Sequence, residues 1–268
     1  MGQKRIAVLM SYLNLVMSMV VNIFLIPLMI KAFGDVDYSV YKVMQSFAGP
    51  LAMFHLGIST VVTRSIVKYH SDNHYTEKDK QNTMAIALLV SGLMSLIVMI
   101  AGVFMYLAIP SMYGEPYTAE NLILGRRIFS VFVLSSVFHM MTDAFSGCVV
   151  GREKFVVSAT MPLMKTVLKV VLMSVFLLCG MNVIYVALVD LLIAIVTFVI
   201  LCLYAVFGLS EVPHLYYFDK RQLAEIFSFG MAILLQAIVN QVNNNMGPVP
   251  TQTNVGPQDP NNGNNMPL

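Results

Sequence analysis

IAVLMSYLNLVMSMVVNIFLIPLMI, residues 6 to 30, contains no Asp, Glu, Lys, Arg or His. A transmembrane helix needs about 20 consecutive apolar residues to cross the hydrocarbon core of a bilayer. This run exceeds that. It follows Lys4 and Arg5 in the manner of a secretory signal. But a signal's apolar region is only about 7–15 residues long and ends at a small-residue cleavage site, which is lacking here. The stretch therefore reads as a first membrane span.

Five further runs of the same kind follow: 38–63, 84–109, 128–150, 156–179 and 183–207. A seventh begins at Ile226 and reaches about Val242. Of the 268 residues, 57% are hydrophobic and only 11% charged, and the mean hydropathy is +0.75. Soluble domains carry about 25% charged residues. The composition thus predicts an all-α, polytopic transmembrane bundle. It also excludes a nucleic-acid binder, because a net charge of +2 with no Lys/Arg run makes no basic patch.

The hydrophilic segments are short; only 64–83 and 208–225 have room for an interfacial helix. Their cations set the orientation. With the N-terminus inside, the inner segments hold Lys4, Arg5, Arg64, Lys68, Lys78, Lys80, Arg152, Lys154, Lys220 and Arg221. The outer segments hold Lys31, Arg126 and Arg127. This bias of about ten to three predicts a cytoplasmic N-terminus by the positive-inside rule. Lys42 lies about a turn inside its span and is expected to snorkel outward.

Three spans contain prolines: Pro27, Gly49-Pro50 and Met161-Pro162. Proline removes a backbone donor and clashes with the preceding turn. Each is expected to interrupt its span, either as a static kink or as a hinge. The segment 247–268 is rich in Asn, Pro, Gly and Gln and reads as a disordered tail. Set against an apolar helix with no basic stop, it reads as a chain cut short.

No catalytic signature is present: no phosphate loop, no His-Glu-x-x-His and no nucleophile elbow. Cys148, Cys179 and Cys202 sit in apolar runs at no metal-ligand spacing. Neither an enzyme nor a bound metal or cofactor is expected.

Ionisable residues at membrane depth are costly and mark function by default. These are Asp143 in the fourth span, Lys165 and Lys169 in the fifth, and Asp190 in the sixth, with His55 and His139 also inside spans. Lys165 and Lys169, four residues apart, share a helix face and repel each other. At about 1.5 Å per residue, Lys165 lies roughly 13 Å from the inner end of its span and Asp143 roughly 10 Å from the inner end of its own. Asp190 lies roughly 10 Å from the outer end of the sixth span, a few Å above Lys169. Two readings stand side by side. In one, Lys165–Asp143 and Lys169–Asp190 are buried ion pairs that fix helix register. In the other, the lysines face a wet cavity and attract an anion. The histidines fit ordinary packing.

Several stretches resemble the N-terminal half of the polysaccharide (O-antigen type) flippases of the multidrug/oligosaccharidyl-lipid/polysaccharide exporter superfamily. They are Ile26-Pro27-Leu28-Met29-Ile30-Lys31-Ala32-Phe33-Gly34 and Tyr38-Ser39-Val40-Tyr41-Lys42, where the family usually has Tyr-Gly-x-Tyr. Phe54-His55-Leu56-Gly57-Ile58-Ser59-Thr60 precedes Arg64, and Phe145-Ser146-Gly147 precedes Gly151-Arg152-Glu153-Lys154-Phe155. The last are Phe227-Ser228-Phe229-Gly230 and Gln241-Val242-Asn243. The chain departs from the pattern at Ser39, usually Gly, and at His55, where an acid is common.

The resemblance covers roughly residues 1–245 and implies one half of a two-bundle exporter. Residues 1–225 would form a six-span bundle, and 226–246 would begin a second, incomplete one. Its implied work is to flip an undecaprenyl-pyrophosphate-linked oligosaccharide, as in lipopolysaccharide assembly, across the bacterial inner membrane. Alternating access would drive this without an ATP site, in association with glycan polymerisation machinery. Lys165, Lys169, Arg64, Arg126, Arg127, His55 and His139 are the candidate substrate contacts, with Asp143 and Asp190 as charge partners. A chain cut to one bundle would not flip alone. The alternatives are a multidrug or cation exporter of the same superfamily, which would favour acidic cavity residues, and a non-transporting, seven-span receptor-like protein.

Overall fold

A computed structural model describes residues 2–53, 57–71, 76–112, 118–209 and 213–216, with the isolated positions Ala224, Phe227, Ser228 and Leu235. The helices are α1 (Gly2–Met53), α2 (Ile58–Ser71), α3 (Glu77–Met112), α4 (Ala119–Gly151), α5 (Phe155–Leu178) and α6 (Ile184–Leu203). A π-helical turn, Tyr204–Gly208, ends α6. Among the described residues there is no strand. Five helices are long and apolar enough to cross a membrane, and the protein is a multi-pass helical membrane protein.

The first of these, Gly2–Leu51, is 50 residues long. Unbroken, it would measure about 75 Å, more than twice the roughly 30 Å hydrocarbon core. The break is Gly34, with φ 81° and ψ 165°. That region of backbone space is essentially closed to residues with a Cβ. It divides α1 into arms 2–33 and 35–53, which correspond to the first span and the start of the second.

The helical breaks differ from those expected at prolines. Pro27, Pro50 and Pro162 all lie inside continuous helix. Of the second span, expected over 38–63, residues 38–53 lie in α1 and 58–63 in α2, and residues 54–56 lie outside the described residues. Pro162 lies within α5 without ending it. Membrane helices tolerate prolines where neighbouring groups re-satisfy the backbone. Of the expected seventh span only Phe227, Ser228 and Leu235 are described, and the tail lies outside the described residues.

α4 is the central helix, packed against α1, α2, α3 and α6, while α5 packs chiefly against α1 and α6. Ile128, Phe129 and Met140 of α4 are fully buried, as are Val40 and Met44 of α1 and Ile66 of α2. Helices in lipid gain no hydrophobic drive to associate, so close backbone approach at small residues substitutes for it. Gly147 and Gly151, four apart on α4, supply that approach to α2. A Cβ on Gly147 would lie 2.5 Å from the Ser59 carbonyl oxygen, and one on Gly151 2.8 Å from Cγ2 of Ile66. The Thr63 hydroxyl bridges the seam, 2.7 Å from the Ser59 carbonyl and 3.0 Å from that of Gly147.

Candidate functional site

Three helices meet around one carboxylate inside the bundle. Lys169 of α5 donates from Nζ to Oδ1 of Asp190 on α6 at 2.8 Å. The side chains are 33% and 21% exposed, so the pair is neither sealed in the core nor free in solvent. Tyr41 of α1, 3% exposed, interacts through its phenol with the same carboxylate. Asp190 thus receives a cation from one side and a buried hydroxyl from another. Such partners hold a carboxylate at membrane depth that would otherwise be expelled.

One turn along α5, Lys165 is half-buried and lies within the electrostatic reach of Asp143 on α4. It makes no hydrogen bond among the described residues. Between the two lysines, Thr166 Oγ1 donates to Asn14 Oδ1 at 3.1 Å and ties α5 to the first arm of α1. His139 lies one turn from Asp143 on α4, half-buried and engaged with neighbours. The structure therefore pairs Lys169 of α5 with Asp190 of α6 and sets Lys165 of α5 near Asp143 of α4, with His139 one turn from Asp143.

The other candidate cations lie elsewhere. Arg127 is 16 residues from Asp143 along α4, about 24 Å. It lines a separate cavity of about 420 Å³ with Asp37, Glu120, Asn121 and Asn182. Arg126 lies over the Tyr106 ring, 4.6 Å from its centroid, at the α3–α4 seam. Arg64 is exposed on α2 and engaged with neighbours. His55 lies outside the described residues.

Sequence reasoning overlooked Tyr41, Asn14 and Thr166 as members of the network. They are uncharged, and the charge-at-depth criterion is blind to such residues. The signal that would have found Thr166 is its position four residues after Pro162, on the same helix face. No group of His, Cys, Asp and Glu suited to a metal occurs among the described residues.

The fold matches solved transporters. A MATE mutant superposes with a TM-score of 0.73 at 16% identity, over 90% of this chain and 54% of that one. A MOP superfamily transporter from Pyrococcus furiosus, whose reversed pocket polarity is said to suggest a different function, gives 0.70, 16%, 90% and 53%. An outward-facing multidrug resistance MATE family transporter gives 0.70, 16%, 90% and 54%. At this identity the likeness establishes the fold. The chain spans about half the length of these structures. No curated protein matches it. Residues 5–257 match the sequence model of one family, so the chain belongs to the family of polysaccharide biosynthesis proteins.

Proposed function

We propose that this bundle is part of a transporter that moves a lipid-linked oligosaccharide across the bacterial inner membrane by alternating access. Lys165 and Lys169 would receive the pyrophosphate of the carrier lipid. The observation that carries this reading is the spacing of the two lysines on one face of α5, with only Lys169, among the described residues, held by a carboxylate at hydrogen-bonding distance. Two ammonium groups four residues apart repel each other until a multivalent anion bridges them. Asp190 then holds Lys169 in place while the site is empty and yields it to the incoming phosphate. A cation exporter would need Asp190 accessible to its cargo. Here the ammonium of Lys169 and the phenol of Tyr41 occupy it.

Family membership supports a polysaccharide-related cargo. The ten-to-three distribution of cations supports a cytoplasmic N-terminus. The test is export in a strain lacking its own flippase. In the full-length transporter, Lys169→Gln is expected to abolish surface polysaccharide even after export is normalised to the amount of transporter in the membrane. Full export per transporter by Lys169→Gln would refute the anion-site reading, and export that falls only in proportion to the transporter's membrane level would favour a purely structural ion pair.

A further inference from the structure

We propose that the α3–α4 seam binds an anionic glycerophospholipid, with one acyl chain in a groove between the helices and the headgroup phosphate on Arg126. This is a site separate from the lysines of α5, and it stands whether or not the chain handles a glycan.

The groove has a volume of about 400 Å³ and is lined by Gly102, Val103, Tyr106 and Leu107 of α3 and by Phe129, Ser130 and Val133 of α4. It closes at its deep end, where a Cβ on Gly102 would lie 2.6 Å from Cγ1 of Val133. Val103, Leu107 and Ser130 are exposed along its length. Its walls are apolar except for the Ser130 hydroxyl, which is turned back onto the Arg126 carbonyl at 2.9 Å.

Arg126 stands one turn beyond Ser130, on the same helix face. Its guanidinium lies over the ring of Tyr106, itself a groove residue, at 4.6 Å. Its Nε is sealed from solvent without a hydrogen-bond partner, and no carboxylate pairs with it among the described residues. A guanidinium kept flat on an aromatic face presents its N–H edge as a fork suited to a phosphate. This cation is therefore placed and half-desolvated, with no counterion among the described residues.

Depth selects the occupant. α4 has 33 residues and is about 50 Å long, roughly 20 Å more than the hydrocarbon core. With the excess shared between its ends, Arg126, seven residues in, falls at the boundary where lipid phosphates sit. Phe129 and Val133 fall in the first acyl carbons below it. A cation at the phosphate level above an apolar groove at the acyl level complements an anionic lipid.

The full chain is reconstituted in nanodiscs with equal phosphatidylglycerol and phosphatidylcholine of identical acyl chains, and the lipid retained on extraction is measured by native mass spectrometry. About fivefold enrichment of phosphatidylglycerol is expected, the effect of one cation near a lipid phosphate. Arg126→Gln should abolish the enrichment, and Ser130→Phe, which fills the groove, should reduce retention of both lipids. Independently of any variant, phosphatidylglycerol carrying an acyl diazirine should cross-link to peptides spanning 102–107 and 129–133. Enrichment that survives Arg126→Gln, retention that survives Ser130→Phe, cross-links mapping elsewhere, or no retained lipid because protein covers the seam would each overturn the proposal.

Discussion

Lys169 on α5 and Asp190 on α6 are joined by an N–O contact of 2.8 Å inside a helical membrane bundle. Twenty-one residues separate them in sequence. Their charges are balanced locally, while Lys165 on the same face of α5 has no such bond among the described residues.

The pair makes a testable demand on membrane insertion. Removing one partner strands the other, which costs roughly 2.5–3.5 kcal/mol near the middle of a bilayer on insertion scales. Asp190→Leu and Lys169→Leu should each lower the amount of folded protein in the membrane. The double variant should restore it, because no uncompensated charge remains. Quantitative membrane immunoblots check this. A double variant as depleted as the sum of the singles would show that the two residues act independently.

Gly147 should be intolerant of any side chain. Its missing Cβ faces a backbone carbonyl 2.5 Å away, which cannot rotate aside. Gly147→Ala must push α2 from α4 and stretch the Thr63 bond to Gly147. A loss of about 1–3 kcal/mol is expected from overpacking, read as a lower melting temperature in detergent. Gly92→Ala is the control, because nothing lies within 4 Å of a Cβ there. Equal melting of the two variants would contradict the close seam.

Orientation is checked by cysteine accessibility. Ser71, at the end of α2, and Ser111, near the end of α3, stand at opposite ends of α3 in sequence. A cysteine at position 71 should react with an impermeant thiol reagent only in opened membranes, and one at position 111 in intact cells. The reverse pattern would overturn the cytoplasmic N-terminus.

Much of the helical content was legible because lipid imposes a simple rule: long apolar runs with cations between them. The locations of the breaks were not. Pro27 and Pro50 promised interruptions, but a membrane helix re-satisfies what a proline removes. Gly34 gave no stronger signal in sequence than other glycines until its φ of 81° placed it in a conformation reserved for glycine. Depth along the spans brought Lys169 and Asp190 to similar levels, since rise per residue is nearly constant in a helix. The same arithmetic could not reveal which faces meet. That left Tyr41 hidden as a partner of Asp190, and it left Arg126 and Arg127 grouped with lysines from which α4 separates them.

The most direct measurement is binding of the carrier's anionic head by the purified chain. Undecaprenyl pyrophosphate and undecaprenyl monophosphate are titrated onto the protein in nanodiscs of neutral lipid. The account predicts tighter binding of the pyrophosphate, lost by tenfold or more, about 1.4 kcal/mol, in Lys165→Gln/Lys169→Gln, measured per mole of folded protein. Equal affinity for the two lipids, or pyrophosphate binding undiminished in the double variant, would contradict it.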